Sequence, residues 1–264
     1  MNRNKYAQLL CCSILLMLLV IFGCEKKQPA GTTQTPSQTS STPVPAQQPV
    51  ESTPSNSLSN IERINIPLDS SFPDAEAATT MNVYFIFDGS GSMNDKKGGI
   101  TKLAGAKKAV EEFIKYVPGD INLGLFVFDS NGEREVVPLR PNNHERFLEA
   151  IKQIRAGRGT PLAEAIKTGS DKLIEQYKKQ LGYGDYRLVV VTDGIANNIP
   201  SAAIYATQYG FPIYTIGLFV EEEHPLREYS ISYKDAQSFE ELQQGLTETL
   251  AETEYFDPVE FEFE

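Results

Sequence analysis

The sequence predicts a doubly wound α/β fold, with a mainly parallel central sheet flanked by helices, over residues 80–252 of 264. Compact apolar runs recur at residues 83–87, 121–128, 188–191 and 211–218, and most are separated by stretches whose apolar side chains repeat at helical spacing. Strands covered on both faces read as unbroken apolar runs, and amphipathic helices between them supply the crossovers that a parallel sheet requires. Polar, glycine-bearing turns sit where strands should end or helices begin, the place where open α/β sheets hold their ligands.

Each element follows from its own pattern. Residues 83–87 form the first strand, and Leu103, Ala106, Val110, Phe113, Ile114 and Val117 mark the buried stripe of the helix after it. Residues 121–128 are a second strand and residues 135–139 a short third one. Phe147, Leu148, Ile151 and Ile154 mark another helix, followed by one that buries Leu162, Ile166, Leu173, Tyr177 and Leu181. Core strands at 188–191 and 211–218 come next. Ser238 with Glu241 reads as a capping box opening a last helix, with Phe239, Leu242, Leu246 and Leu250 along one side. Residues 61–68 alternate apolar and polar positions, so the segment 61–79 is either an edge strand or a packed lead-in.

The first 23 residues read as a targeting segment. Arg3 and Lys5 precede an apolar run of about 14 residues, short of the roughly 20 needed to span a bilayer and typical of a signal-peptide core. It ends in Ile21-Phe22-Gly23-Cys24, which resembles the lipobox of bacterial lipoproteins, in which diacylglycerol is attached to the cysteine. Cys24 is the expected lipidation site, and the folded part is expected in the cell envelope, anchored to a membrane and facing the periplasm or the exterior. Residues 24–60, rich in Ser, Thr, Pro and Gln, cannot bury enough apolar surface to offset their ordering entropy and read as a disordered tether. A coil of about 36 residues has ends roughly 30–36 Å apart.

Cys11 and Cys12 lie in the leader, so no disulfide is available downstream and thiol chemistry is excluded. Removing Arg3 and Lys5 with the leader takes the formal charge from −11 to −13. Such a charge argues against a nucleic-acid partner and against a polybasic hold on anionic lipid.

Three segments carry the chemistry. Asp88-Gly89-Ser90-Gly91-Ser92 follows the first strand directly, and residues 88, 90 and 92 can present oxygens toward one point. Gly159-Thr160-Pro161 precedes a helix, with proline suited to a first helical position. Thr192-Asp193-Gly194 ends the strand at 188–191.

In this order and spacing the three segments resemble the metal-ion-dependent adhesion site of von Willebrand factor type A (VWA) domains, over residues 80–252. The resemblance implies that Asp88, Ser90, Ser92, Thr160 and Asp193 bind a divalent cation, Mg²⁺ by preference, with Mn²⁺ or Ca²⁺ as alternatives. Two carboxylates among neutral hydroxyls and water leave such an ion electrophilic, suited to capturing an Asp or Glu carboxylate from a protein partner. The expected function is therefore non-catalytic: adhesion or assembly of an envelope complex. In one region the chain departs from the family pattern. Family members usually carry a loop, a helix and a last strand before the terminal helix, but here only residues 220–234 fill that space, so the penultimate helix is expected to be shortened or lost.

Competing readings are weaker. A phosphate-ester hydrolase using the same metal would place a second Asp two positions after Asp88, where Ser90 stands. A scaffold whose metal only stabilises the fold is the third reading. His224, beside Glu221, Glu222 and Glu223, reads as part of a solvated acidic loop, and His144 as a residue at a helix start. Lys102, Lys107 and Lys108 read as the wet face of a helix. The closing stretch 253–264, with Phe256, Phe261 and Phe263 among acids, is either a partner-binding tail or a poorly ordered terminus.

Overall fold

The computed structural model describes residues 58, 61–69, 71–221 and 223–251. The leader, Cys24, most of the tether and the tail at 253–264 lie outside the described residues. Among the described residues, no helix is long and apolar enough to cross a membrane.

Chain order is β1 (Met81–Asp88), a 3₁₀ turn (Gly91–Asn94), a small hairpin of β2 (Lys96–Lys97) and β3 (Ile100–Thr101), α1 (Lys102–Ile114), β4 (Asn122–Asp129), β5 (Gly132–Arg140), α2 (His144–Gln153), α3 (Leu162–Lys179), β6 (Asp185–Thr192), α4 (Ile199–Gln208), β7 (Ile213–Leu218), β8 (Ser232–Ala236) and α5 (Phe239–Glu248). Six strands make one sheet in the order β5-β4-β1-β6-β7-β8. All neighbours are parallel except β5, which folds back antiparallel on β4. The expected doubly wound architecture is what forms.

Alternation along the central strands sorts the core into two layers. Val83, Phe85 and Phe87 of β1, with Leu123, Leu125 and Val127 of β4, pack against α1, α2 and α5. Tyr84 and Ile86, with Phe126, Phe128, Leu188 and Val190, pack against α3 and α4 on the other face. Because both faces are covered, neither set of positions tolerates polar side chains, and the strand becomes an unbroken apolar run. Phe85 meets Phe113 of α1 and Phe147 of α2 edge-on, at centroid distances of 5.7 and 5.2 Å. Such pairs contribute about 0.5–1.5 kcal/mol each beyond area burial.

Helix α4 lies outside the sequence expectation, whereas the shortened penultimate helix and the packed lead-in agree with it. Helix α4 carries no strong apolar period: it is short, begins at Ile199-Pro200, and its buried face is largely Ala202, Ala203 and Ala206. Small residues leave a weak pattern in sequence yet allow close packing on α3. The penultimate helix is reduced to one 3₁₀ turn, Pro225–Glu228, ahead of β8. Residues 61–69 form no strand and pack as a lead-in. The Ile64 N–H donates to Gln208 O at 2.7 Å, the Glu76 N–H to Lys179 O at 2.9 Å, and the Gln180 side-chain amide to Ala78 O at 2.9 Å. These carbonyls and amides belong to the C-terminal ends of α3 and α4, so the lead-in is fastened at the end of the sheet opposite the strand C-termini.

At α5, Ser238 Oγ accepts the Glu241 N–H at 3.1 Å, as a cap should. The Glu241 carboxylate accepts the N–H of Gln237, one residue before the cap, at 2.7 Å. The far end of the helix is held by Arg187, whose guanidinium donates to Thr249 O and Ala251 O at 2.7 and 2.8 Å.

Candidate metal centre

Strand order reverses between β1 and β6: from β1 the chain winds outward through β4 and β5, then returns to β6 on the other side. Phe87 pairs with Val191, so Asp88 and Thr192 stand side by side at the strand C-termini. The Thr192 hydroxyl donates to Asp88 Oδ2 at 2.7 Å. The other carboxylate oxygen of Asp88 accepts the Ser90 N–H at 2.8 Å, which turns the chain out of β1.

The two glycines act differently. Gly89 is buried, and a Cβ there would fall 2.8 Å from Ile154 Cγ2 and 2.9 Å from Asp129 Cβ. Its N–H donates to Phe128 O, and its carbonyl accepts the Gly157 N–H. Gly91 is exposed and donates to Arg158 O at 3.0 Å. These backbone bonds lace the 88–92 turn to the loop before α3 that carries Thr160.

A chain of side-chain hydrogen bonds runs across the site. Ser92 Oγ donates to Asp193 Oδ1 at 2.8 Å and lies 3.1 Å from Ser90 Oγ. A hydroxyl has one proton. Ser92 spends its proton on Asp193, so Ser90 is the donor to Ser92. The chain of donation runs toward Asp193, and Ser90 and Ser92 each keep at least one hydroxyl lone pair that this chain does not use, suited to an outside cation. Thr160 takes no part in this chain. Half-buried, it lines the adjoining groove with Asp129, Gly132 and Arg158.

Three groups the sequence reading placed in solvent are buried or half-buried. Lys102 is buried at the first position of α1, and its Nζ lies 2.9 Å from Asp193 Oδ2. Lys107 is half-buried and donates to Lys152 O and Ile154 O at 2.8 and 2.6 Å, and only Lys108 is on the wet face. His224 is fully buried, while Glu221 and Glu223 beside it are exposed. Its Nδ1 accepts the Leu226 N–H at 3.1 Å, which fixes the proton on Nε2, 3.1 Å from Gly194 O. The imidazole thus pins the 192–194 turn from behind. Sequence offered one cue: a histidine just before a Pro in a segment too short for its usual helix. His144 does stand at a helix start, with Nε2 3.0 Å from Val117 O.

Asp129 ends β4 with a fully buried side chain. It accepts from Arg134 and the Asn131 N–H at 2.8 Å each, and from the Arg155 N–H at 3.3 Å. Burial pushes this carboxyl up, but the hydrogen bonds outweigh it and hold the group below the usual carboxylate range. Asp88 behaves oppositely. Burial first, and the nearby Asp193 second, push its carboxyl up to about 6.

The donor set fits a hard divalent cation. Asp88 and Asp193 bring carboxylates, and Ser90, Ser92 and Thr160 bring hydroxyls, with no sulfur or imidazole among them. Among the described residues no group of three or more His, Cys, Asp or Glu side chains is placed to hold a metal ion.

Comparison with known proteins agrees with the fold. Residues 83–195 match the family model described as von Willebrand factor type A domain. An uncharacterised protein of Bacillus subtilis (strain 168), YwmD, is 33% identical over 105 residues, 35% of this chain and 47% of that protein. The chain therefore spans about half the length of that curated relative. Among solved structures, the pilus adhesin SpaC from Lactobacillus rhamnosus GG superposes with a TM-score of 0.54 at 14% identity, over 67% of this chain and 31% of SpaC. The vWF domain of the pili tip protein Mfa5 from Porphyromonas gingivalis gives 0.51 at 12% identity, over 68% of this chain and 99% of that domain. The folded part of this chain has the von Willebrand factor type A fold, and its residues 83–195 match that family's model.

Proposed function

We propose that the domain binds a divalent cation, Mg²⁺ by preference, through Asp88, Ser90, Ser92, Thr160 and Asp193, and through it a protein partner that offers an Asp or Glu carboxylate. The observation that carries this reading is the directed chain Ser90–Ser92–Asp193 beside the buried Asp88, at the C-termini of β1 and β6. Bound there, the cation supplies an electrophilic centre for a partner's carboxylate oxygen. The residues of the chain orient: Thr192 fixes Asp88, Lys102 and Ser92 fix Asp193, and the bonds from Gly89 and Gly91 hold the 88–92 turn against the Thr160 loop. The role is adhesion or assembly of an envelope complex rather than catalysis, on a chain lipid-anchored at Cys24 and displayed outside the cytoplasm. Likeness to a pilus adhesin and a pili tip protein agrees with that role.

A pull-down from detergent-solubilised envelopes tests it, using the full chain in Mg²⁺ and in EDTA, with Asp88→Ala as control. Proteins retained only by the wild type in Mg²⁺ are expected. Retention of the same proteins in all three conditions would show that the metal face is not the recognition surface.

A further inference from the structure

We infer that Lys102 is the resident counter-cation of the metal site, holding Asp193 in place without metal and weakening the grip on a divalent ion. This rests on the metal-binding reading above. The ammonium is built into the fold rather than drifting over it. Thr101 caps α1 by accepting the Ala104 N–H at 3.1 Å, and the Lys102 N–H donates to Asp95 O at 2.8 Å, which together set Lys102 at the first helical position. From there its side chain is 8% exposed, and it ends 2.9 Å from Asp193 Oδ2, on a carboxylate with no exposed surface of its own.

The charges near the site are unequal in a telling way. Asp88 and Asp193 are buried acids, and among the described residues Lys102 is the one cation that hydrogen-bonds or ion-pairs with either of them. Without Lys102 the metal-free protein would carry two buried carboxylates with no countercharge, a costly arrangement in a low-dielectric interior. With it, Asp193 has both oxygens committed, one to Ser92 and one to Lys102, and its turn is already in place before any ion arrives. The same ammonium repels an incoming divalent ion and leaves the loaded site with net positive charge, which favours an anionic partner. A site of this kind is folded when empty, and it holds its ion loosely until a carboxylate joins.

Mn²⁺ titration by calorimetry, with thermal melts of the full chain in EDTA and in Mn²⁺, tests the inference on Lys102→Met and Lys102→Arg. In the Met variant the Mn²⁺ dissociation constant is expected to fall about tenfold or more, as removal of a like charge beside the ion requires. Its metal-free melting temperature should drop, and Mn²⁺ should raise it by more than in the wild type. The Arg variant should keep wild-type affinity. A Met variant that folds only in Mn²⁺ would also support the inference. Equal or weaker Mn²⁺ binding by Met, or a Met variant that is unfolded both in EDTA and in Mn²⁺, overturns it while wild-type binding leaves the metal site standing. If neither wild type nor Met variant binds Mn²⁺, the metal reading itself falls.

Discussion

His224→Ala is the most direct test of how the site's third turn is held. The side chain is fully buried and bridges two segments far apart in sequence, with Nε2 3.1 Å from Gly194 O and Nδ1 accepting from the Leu226 N–H at 3.1 Å. Its ring also stacks on Tyr233 at a centroid distance of 6.0 Å. Alanine leaves a buried carbonyl and a buried N–H without those partners, at about 1–3 kcal/mol each, and a ring-sized void besides. A loss of about 3–4 kcal/mol is expected, and at about 2–4 °C per kcal/mol for a domain of this size the melting temperature falls by about 10 °C. Thermal circular dichroism on wild type and variant measures it.

The pH dependence supplies a second, signed readout. Burial above all, with the Arg227 charge, holds the His224 imidazole below its ordinary value, against the opposing pull of the Gly194 carbonyl. The unfolded chain therefore takes up a proton near pH 6.5 that the folded protein refuses until lower pH. Wild-type stability should fall as pH drops below about 6.5, by up to about 1.4 kcal/mol per pH unit, until the folded value is reached. The alanine variant lacks this contribution, so the gap between the two proteins narrows over that window. A melting-temperature loss under about 3 °C at pH 7.5, or parallel losses in both proteins from pH 7 to 5, would refute the bridging role.

Two further outcomes follow from the hydrogen bonds. Asp129→Ala removes a buried acceptor that joins the β4–β5 turn to the Arg155 backbone, and should cost about 2–4 kcal/mol in urea melts at pH 7. Because its folded carboxyl is lowered, that contribution is present above about pH 3.9 and lost as pH falls through the folded value, so an undiminished gap at pH 3 would contradict the assignment. Ser238→Ala removes the cap of α5 and should cost about 1 kcal/mol, seen as a melting-temperature decrease of about 2–4 °C, while Mn²⁺ affinity stays unchanged.

The sequence by itself determined the layered α/β architecture, because a sheet covered on both faces leaves only apolar runs such as residues 83–87 and 188–191. It also located the candidate ligands, because the Asp88–Ser92 turn and the Thr192–Gly194 turn follow directly from strands whose ends must share one edge of a parallel sheet. Local signals of that kind are written in consecutive residues. What it left open depends on contacts across the chain. Helix α4 buries mostly alanine, too small to mark a period, and only packing on α3 reveals it. Lys102 and His224 look like surface residues among charged neighbours. Each is fastened to a partner distant in sequence, Lys102 to Asp193 at a separation of 91 residues and His224 to Gly194 at 30. No periodicity encodes such a pairing, since it exists only once β1, β6 and the segment before β8 have been brought to the same end of the sheet.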